Sequence, residues 1–227
     1  ADYRVAHPGE LDIAYGARPR NRLDLFPGRG GGGHGPLIVF IHGGYWRSLD
    51  KSLFSHVAGP ANDVGFDVIV PGYTLCPEVT VADIIDELRQ CCLFLGRRHR
   101  RRLLVTGHSA GGHLAAAMAA TDWQLYGARA DLIQACLSVS GLFDLRPLMA
   151  TPFNDDLRLG PADVLATMAG ARNFPKHRRF LCAPVRFQAI PSVSKTSSAR
   201  RAYQTLRRHP NFAVNTPSTF VAKHLYT

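Results

Sequence analysis

The sequence predicts an α/β fold: a mostly parallel sheet with helices on both faces. Three observations carry that expectation. The 227 residues are 46% hydrophobic and 19% charged, enough apolar content for one sizeable core. Leu37-Ile38-Val39-Phe40-Ile41 is an uninterrupted apolar run ending at glycines, as in a strand buried on both faces. Strand signals then alternate with helical periodicity through to Ser138. The same composition excludes wholesale disorder, and no stretch reaches the roughly 18 apolar residues of a membrane helix. No positive-then-apolar leader opens the chain, so a cytoplasmic protein with no membrane partner is expected. Cys76, Cys91, Cys92, Cys136 and Cys182 match no zinc spacing and are expected as buried free thiols.

The elements follow in order. Arg22 to Phe26 alternates polar and apolar residues, a short half-buried strand. The glycine-rich stretch from Gly28 to Gly35 is a surface loop, and the apolar run to Ile41 follows it. Residues 67–70 give another strand, stopped by Pro71-Gly72. Thr80 then caps a helix, with Asp83 three residues on in a near capping-box pattern. Val81, Ile84, Ile85, Leu88, Cys92 and Leu95 share one helical face, and Gly96 is expected to end the helix. The run from Arg97 to Arg102 reads as a solvated connection. Arg102 to Thr106 is a strand, Gly111 to Ala120 a small Ala-rich helix, and Leu132 to Ser138 a further strand. Sheets of this kind place ligands beyond the carboxyl ends of their strands. The residues to inspect therefore follow Ile41, Val70, Thr106 and Val139.

Two motifs fall there. Gly107-His108-Ser109-Ala110-Gly111 lies between a buried strand and a helix, the context in which Gly-x-Ser-x-Gly forms a nucleophile elbow. A tight turn exposes the Ser109 hydroxyl, flanking glycines remove Cβ clashes, and the helix N-terminus favours a developing oxyanion. Ser109 is the expected catalytic nucleophile. His42-Gly43-Gly44-Tyr45-Trp46 follows the first buried strand, and its glycines let backbone N–H groups approach a carbonyl. Gly43, Gly44 or Tyr45 supplies one oxyanion-hole donor and Ala110 the other. His42 is expected to orient this loop rather than act as a base, and His113 to pack or tether a loop.

Together with Gly72-Tyr73-Thr74-Leu75-Cys76-Pro77-Glu78-Val79-Thr80, Leu23-Asp24-Leu25-Phe26 and Ser140-Gly141-Leu142-Phe143-Asp144-Leu145, these motifs resemble the arylformamidase (kynurenine formamidase) group of α/β-hydrolases. The resemblance runs from about Leu11 to about Leu165. It implies an α/β-hydrolase fold and a metal-free, cofactor-free serine hydrolase. The implied substrates are N-formyl-kynurenine or related small aryl amides and esters. Tyr45 and Trp46 are placed either in an acyl or aromatic pocket or in the core. Asp144 matches a family residue other than the triad acid.

The chain then departs from that pattern. Residues 1–163 hold 16 Lys and Arg against all 17 Asp and Glu, whereas residues 164–227 hold 11 basic residues and no acid. No glycine follows Gly170. The resemblance predicts a late Asp and a last-loop His, yet no Asp or Glu follows Asp163. Of His177, His209 and His224, the last is nearest the expected place in chain order. Asp155, Asp156 and Asp163 read as solvated loop or cap residues. Residues 1–168 are thus expected as the hydrolase core, and 169–227 as a basic, acid-free tail outside the pattern. Either a shifted reading frame beginning near residue 168 or a native basic extension accounts for it, the former being favoured. The C-terminal sheet edge is expected to be incomplete or irregular, with Phe180-Leu181-Cys182 still able to pair there. An open edge would favour self-association. The function expected is ester or aryl-formamide hydrolysis through an acyl-enzyme on Ser109, impaired by loss of the triad Asp and His. The alternative is an inactive hydrolase relative that binds through its basic tail; nucleic acid is not the expected partner.

Overall fold

Alternating and uninterrupted apolar runs become neighbouring strands of a single sheet in the computed structural model, which describes residues 2–31, 35–170, 179–183 and 212–213. A short helix α1 (Asp2–Ala6) leads into β1 (Glu10–Ala14), β2 (Arg22–Phe26) and β3 (Leu37–Ile41). A 3-10 helix (Lys51–Ala58) and α2 (Gly59–Asp63) carry the chain to β4 (Val68–Pro71). Then come α3 (Val81–His99), β5 (Leu103–His108), α4 (Ala110–Ala120) and β6 (Ile133–Val139). Beyond these lie α5 (Asn154–Leu157), α6 (Pro161–Gly170), β7 (Arg179–Ala183) and β8 (Phe212–Ala213).

The described strands lie in the order β1-β2-β4-β3-β5-β6-β7-β8. β1 and β2 are antiparallel additions at one edge, and all pairings from β4 through β8 are parallel. The register of β3 on β5 runs from Leu37↔Leu103 to Ile41↔Gly107. That register sets the ends of the two strands side by side, with the His42-Gly43-Gly44 loop against the Ser109 turn.

Both sheet faces are covered, as an uninterrupted apolar strand requires. Leu37, Val39 and Ile41 join the larger apolar cluster with α3 and α4, while Phe40 joins a smaller cluster with Phe26, Ala58, Val68 and Val70. α4 buries every residue from Ala110 to Ala119, so its small side chains let the helix lie close on β5 and β6.

α3 starts as expected. The Asp83 N–H donates to Thr80 Oγ1 at 3.1 Å, and the Thr80 N–H donates to Asp83 Oδ2 at 2.8 Å. Its end differs from expectation. The helix passes through Gly96 to His99 and stops at Arg100, whose φ is 54. Gly96 is needed for packing: a Cβ there would lie 2.8 Å from Leu132 Cδ1.

β1 was not legible as a strand, because four of its five residues are exposed and a bulge breaks its register. Charge holds it. Lys51 Nζ lies 2.6 Å from both Asp12 Oδ1 and Asp24 Oδ1, and Arg4 reaches Asp24 Oδ2 at 3.2 Å. Asp24 is fully buried.

At the other edge β7 pairs with β6 through Phe180↔Cys136, Leu181↔Leu137 and Cys182↔Ser138, and the two-residue β8 follows. His177, His209 and His224, and most of the tail's basic residues, lie outside the described residues. All five thiols are free and buried. Among the described residues no helix is long and apolar enough to cross a membrane.

Candidate active site

Ser109 occupies the turn between β5 and α4 with φ 57 and ψ −120. A side chain rarely adopts this backbone, which costs about 1–3 kcal/mol and persists only where its surroundings enforce it. They do so from both sides. The Ser109 N–H donates to the Val139 carbonyl at 2.9 Å, and the Ser109 carbonyl accepts from Gly112 (2.9 Å) and His113 (3.2 Å). The flanking glycines leave room for this turn. A Cβ on Gly107 would lie 2.3 Å from the Gly111 carbonyl oxygen, and one on Gly111 only 2.0 Å from that of Ile41.

The second motif closes on the same point. A Cβ on Gly43 would lie 3.3 Å from Ser109 Cβ, so the loop backbone runs directly past the hydroxyl-bearing carbon. Gly44, Tyr45 and Trp46 all have positive φ (113, 52 and 59), a tight reversal that bends the loop over the site. None of the hydrogen bonds among the described residues uses the N–H of Gly43, Gly44, Tyr45 or Ala110. These four N–H groups lie at adjoining strand ends beside the Ser109 turn.

His42 holds that loop. Its ring lies between Tyr73 (centroids 4.3 Å apart) and Phe54 (5.6 Å), stacked on both. Nδ1 donates to the Gly43 carbonyl at 2.8 Å, since a carbonyl can only accept, and the Tyr73 hydroxyl donates to the His42 carbonyl at 2.9 Å. Burial pushes the His42 pKa down to about 4, with the Gly43 contact opposing only in part. His42 is neutral and orients the loop. His113 is buried edge-on to Trp46 at 5.3 Å, and burial again lowers its pKa to about 4.

The Gly72 to Thr80 segment, read in the sequence only as a motif, is the strut behind this loop. Besides the Tyr73 contacts, the Cys76 N–H donates to the Trp46 carbonyl at 2.9 Å. The Thr74 N–H donates to the buried Glu87 carboxylate of α3 at 2.8 Å. Trp46 is wholly buried and belongs to the core, whereas Tyr45 is 37% exposed. The Tyr45 ring stacks on Phe153 at 4.5 Å, Arg47 lies over Phe153 at 5.4 Å, and Arg47 pairs with Asp156 at 2.5 Å. Asp156 therefore ties α5 to the loop. Asp163 accepts from the Gly160 N–H at 2.9 Å as a helix cap. Asp144 is held by both arms of Arg146, at 2.7 and 2.6 Å. Phe153 and Arg47 carried no sequence signal, because an aromatic or a charge in a loop has no period to mark it.

Among the described residues no side chain hydrogen-bonds the Ser109 hydroxyl, and no three His, Cys, Asp or Glu side chains converge as metal ligands would.

A family model described as BD-FAE matches residues 23–156, more than half the chain and all of the site described above. The chain belongs to the BD-FAE family. This BD-FAE chain is 31% identical over 151 residues to the kynurenine formamidase of Danio rerio, covering 66% of the chain and 51% of that protein. It is 31% identical over 110 residues to an isoprenylcysteine alpha-carbonyl methylesterase of Arabidopsis thaliana, covering 46% of the chain and 26% of that protein. The chain spans about half, or less, of the length of these curated relatives. A crystal structure of a protein from Silicibacter sp., provisionally described as a thioesterase, superposes with a TM-score of 0.76 at 27% identity. That match covers 98% of this chain and 88% of the other. The fold is that of the α/β-hydrolases.

The two fully buried histidines, His42 and His113, give a pH prediction. Their folded pKa values lie near 4, below the ordinary 6.5, so the unfolded chain binds more protons between those values. Stability is full above pH 6.5 and falls as pH drops toward 4. Each histidine accounts for about 2 kcal/mol between pH 7.5 and 5. Urea unfolding at the two pH values should show a clearly lower midpoint at pH 5; equal midpoints refute the assignment of His42 and His113 as neutral core groups.

Proposed function

We propose that this chain is a serine hydrolase that cleaves small aryl formamides or carboxylic esters through an acyl-enzyme on Ser109. The observation that carries the reading is the meeting of the strained Ser109 turn with the Gly43-Gly44-Tyr45 backbone, whose N–H groups have no hydrogen-bond partner among the described residues. Ser109 Oγ attacks the carbonyl carbon, and the oxygen gains negative charge that the N–H groups of Gly43, Gly44 or Tyr45 and of Ala110 stabilise. The C–N or C–O bond then breaks and the leaving group takes a proton. Water attacks the acyl-serine and releases formate or a carboxylate. The names of the relatives, a formamidase and a methylesterase, support this class of bond.

The Tyr45–Phe153 stack forms an aromatic wall at the loop and favours an aryl substrate over an aliphatic one. The resemblance puts the general base and its acid after Asp163, where the sequence holds 11 basic residues, three histidines and no acid. Activity is accordingly impaired relative to a complete triad. That same lack of an acid favours the second reading, an inactive relative that binds a ligand without turnover. Assaying N-formyl-kynurenine and phenyl acetate side by side separates the two. Hydrolysis of either above the buffer rate supports the proposal, and its preference identifies the leaving group. Saturable binding of both without product supports the second reading.

A further inference from the structure

Arginine side chains gather at the end of the sheet opposite Ser109. β5 begins at Leu103, just after the arginine run, and ends at His108, just before the serine. At about 3.3 Å per residue the strand separates the two places by about 20 Å.

Two adjoining grooves open at the arginine end. One, of about 550 Å³, is lined in part by Arg97, Arg100, Arg101, Arg129 and Tyr126. The other, of about 400 Å³, shares Arg100 and Arg129 and adds Arg102. Five guanidinium groups thus border joined space. Among the described residues two carboxylates pair with them. Asp67 is taken by Arg101, and Asp131 is shared between Arg129 and Arg102, the latter at 2.8 Å. Arg97 and Arg100 have no ion pair or side-chain hydrogen bond among the described residues. The groove therefore carries an excess of three positive charges, and half-buried His99 beside it has its pKa lowered by burial and then by Arg98 and Arg101.

Arg100 is informative in itself. It caps α3 in the left-handed region at φ 54, where glycine or asparagine is the ordinary choice. An arginine there costs about 1–2 kcal/mol of backbone preference. Leu93 and Leu132 line the same groove. Tyr126 adds a ring that is 43% exposed.

We propose that this groove binds a multivalent phosphate anion of the di- or triphosphate class, held by Arg97 and Arg100, with Arg129, whose Nε and Nη2 donate to Asp131, adding charge beside them. Planar guanidinium groups match phosphate oxygens in pairs, and an excess of three charges over two adjoining grooves fits a chain of phosphates better than a single one. The site is independent of the chemistry at Ser109.

The test is calorimetric titration of the full chain at physiological salt with inorganic tripolyphosphate and, separately, with a nucleoside triphosphate. Both are expected to saturate below 1 mM, and Arg97→Gln combined with Arg100→Asn to weaken binding at least about tenfold, more than 1.4 kcal/mol. Asparagine keeps the left-handed cap. Arg129→Gln, on an exposed side chain, provides a second variant with the same expected direction. Equal affinity for the two anions assigns the site to inorganic phosphate chains. Tighter binding of the nucleotide, lost in Tyr126→Ala, assigns it to nucleotides. Absence of saturation, or binding unchanged in both arginine variants, overturns the proposal; the latter places the anion on the basic tail.

Discussion

Ser109→Ala is expected to abolish labelling by a fluorophosphonate probe and to cut aryl-ester turnover to the level that backbone donors alone would sustain. The expected size follows from how nucleophile and oxyanion hole divide the work. Free N–H groups and binding leave a residual rate about 10³–10⁴-fold above water when a nucleophile is lost. A serine with its general base adds about a further 10² to 10³-fold, or ~3–4 kcal/mol of barrier, and Ser109 adds less in proportion as the triad is incomplete. The backbone at Ser109 has its strained geometry irrespective of the side chain, because Val139, Gly112 and His113 hold it through main-chain bonds. Alanine should therefore fold normally, and the loss reports chemistry rather than stability. A wild-type chain that resists the probe while melting cooperatively would show that Ser109 has no base, and the serine-hydrolase proposal would fail.

Gly111→Ala is expected to destabilise the fold by more than about 4 kcal/mol, beyond the range of most point substitutions. The added Cβ would sit 2.0 Å from the Ile41 carbonyl oxygen and 2.6 Å from that of His42. Both are main-chain atoms, so no rotamer change relieves the contact. Relief requires either α4 to lift from the sheet, exposing a helix buried along its length, or the end of β3 to move, taking the Gly43-Gly44 loop with it. Gly127→Ala serves as the control. Its φ is +68 with nothing within 4 Å of the added Cβ, so the cost there is only the backbone preference, about 1 kcal/mol. Urea denaturation of the two variants measures the difference, and a wild-type midpoint for Gly111→Ala would overturn the packing account.

Much of this architecture was legible because its causes are local. The apolar run of β3, the Thr80–Asp83 cap and the glycines around Ser109 each act within a few residues of themselves. Gly96 shows where local reasoning stops. A glycine near the end of an apolar helical face reads as a terminator, yet its role depends on Leu132, 36 residues away, whose side chain occupies the space a Cβ would need. β1 escaped notice for the converse reason. It buries little apolar surface and is held by Asp24 and Lys51, contacts that leave no periodic trace.

What the sequence alone determined was the class of fold, the strand–turn–helix around Ser109 and the loop of Gly43 and Gly44 facing it. Hydrophobic period and glycine placement are short-range instructions that the chain spells out in order. Tertiary structure alone decided that His42 is a neutral strut between Tyr73 and Phe54, and that Tyr45 meets Phe153 across more than a hundred residues. It also turned the Arg97 to Arg102 connection into the border of a charged groove shared with Arg129. Burial, stacking and the sum of neighbouring charges are properties of atoms brought together from distant positions, so none of them exists until the sheet has formed.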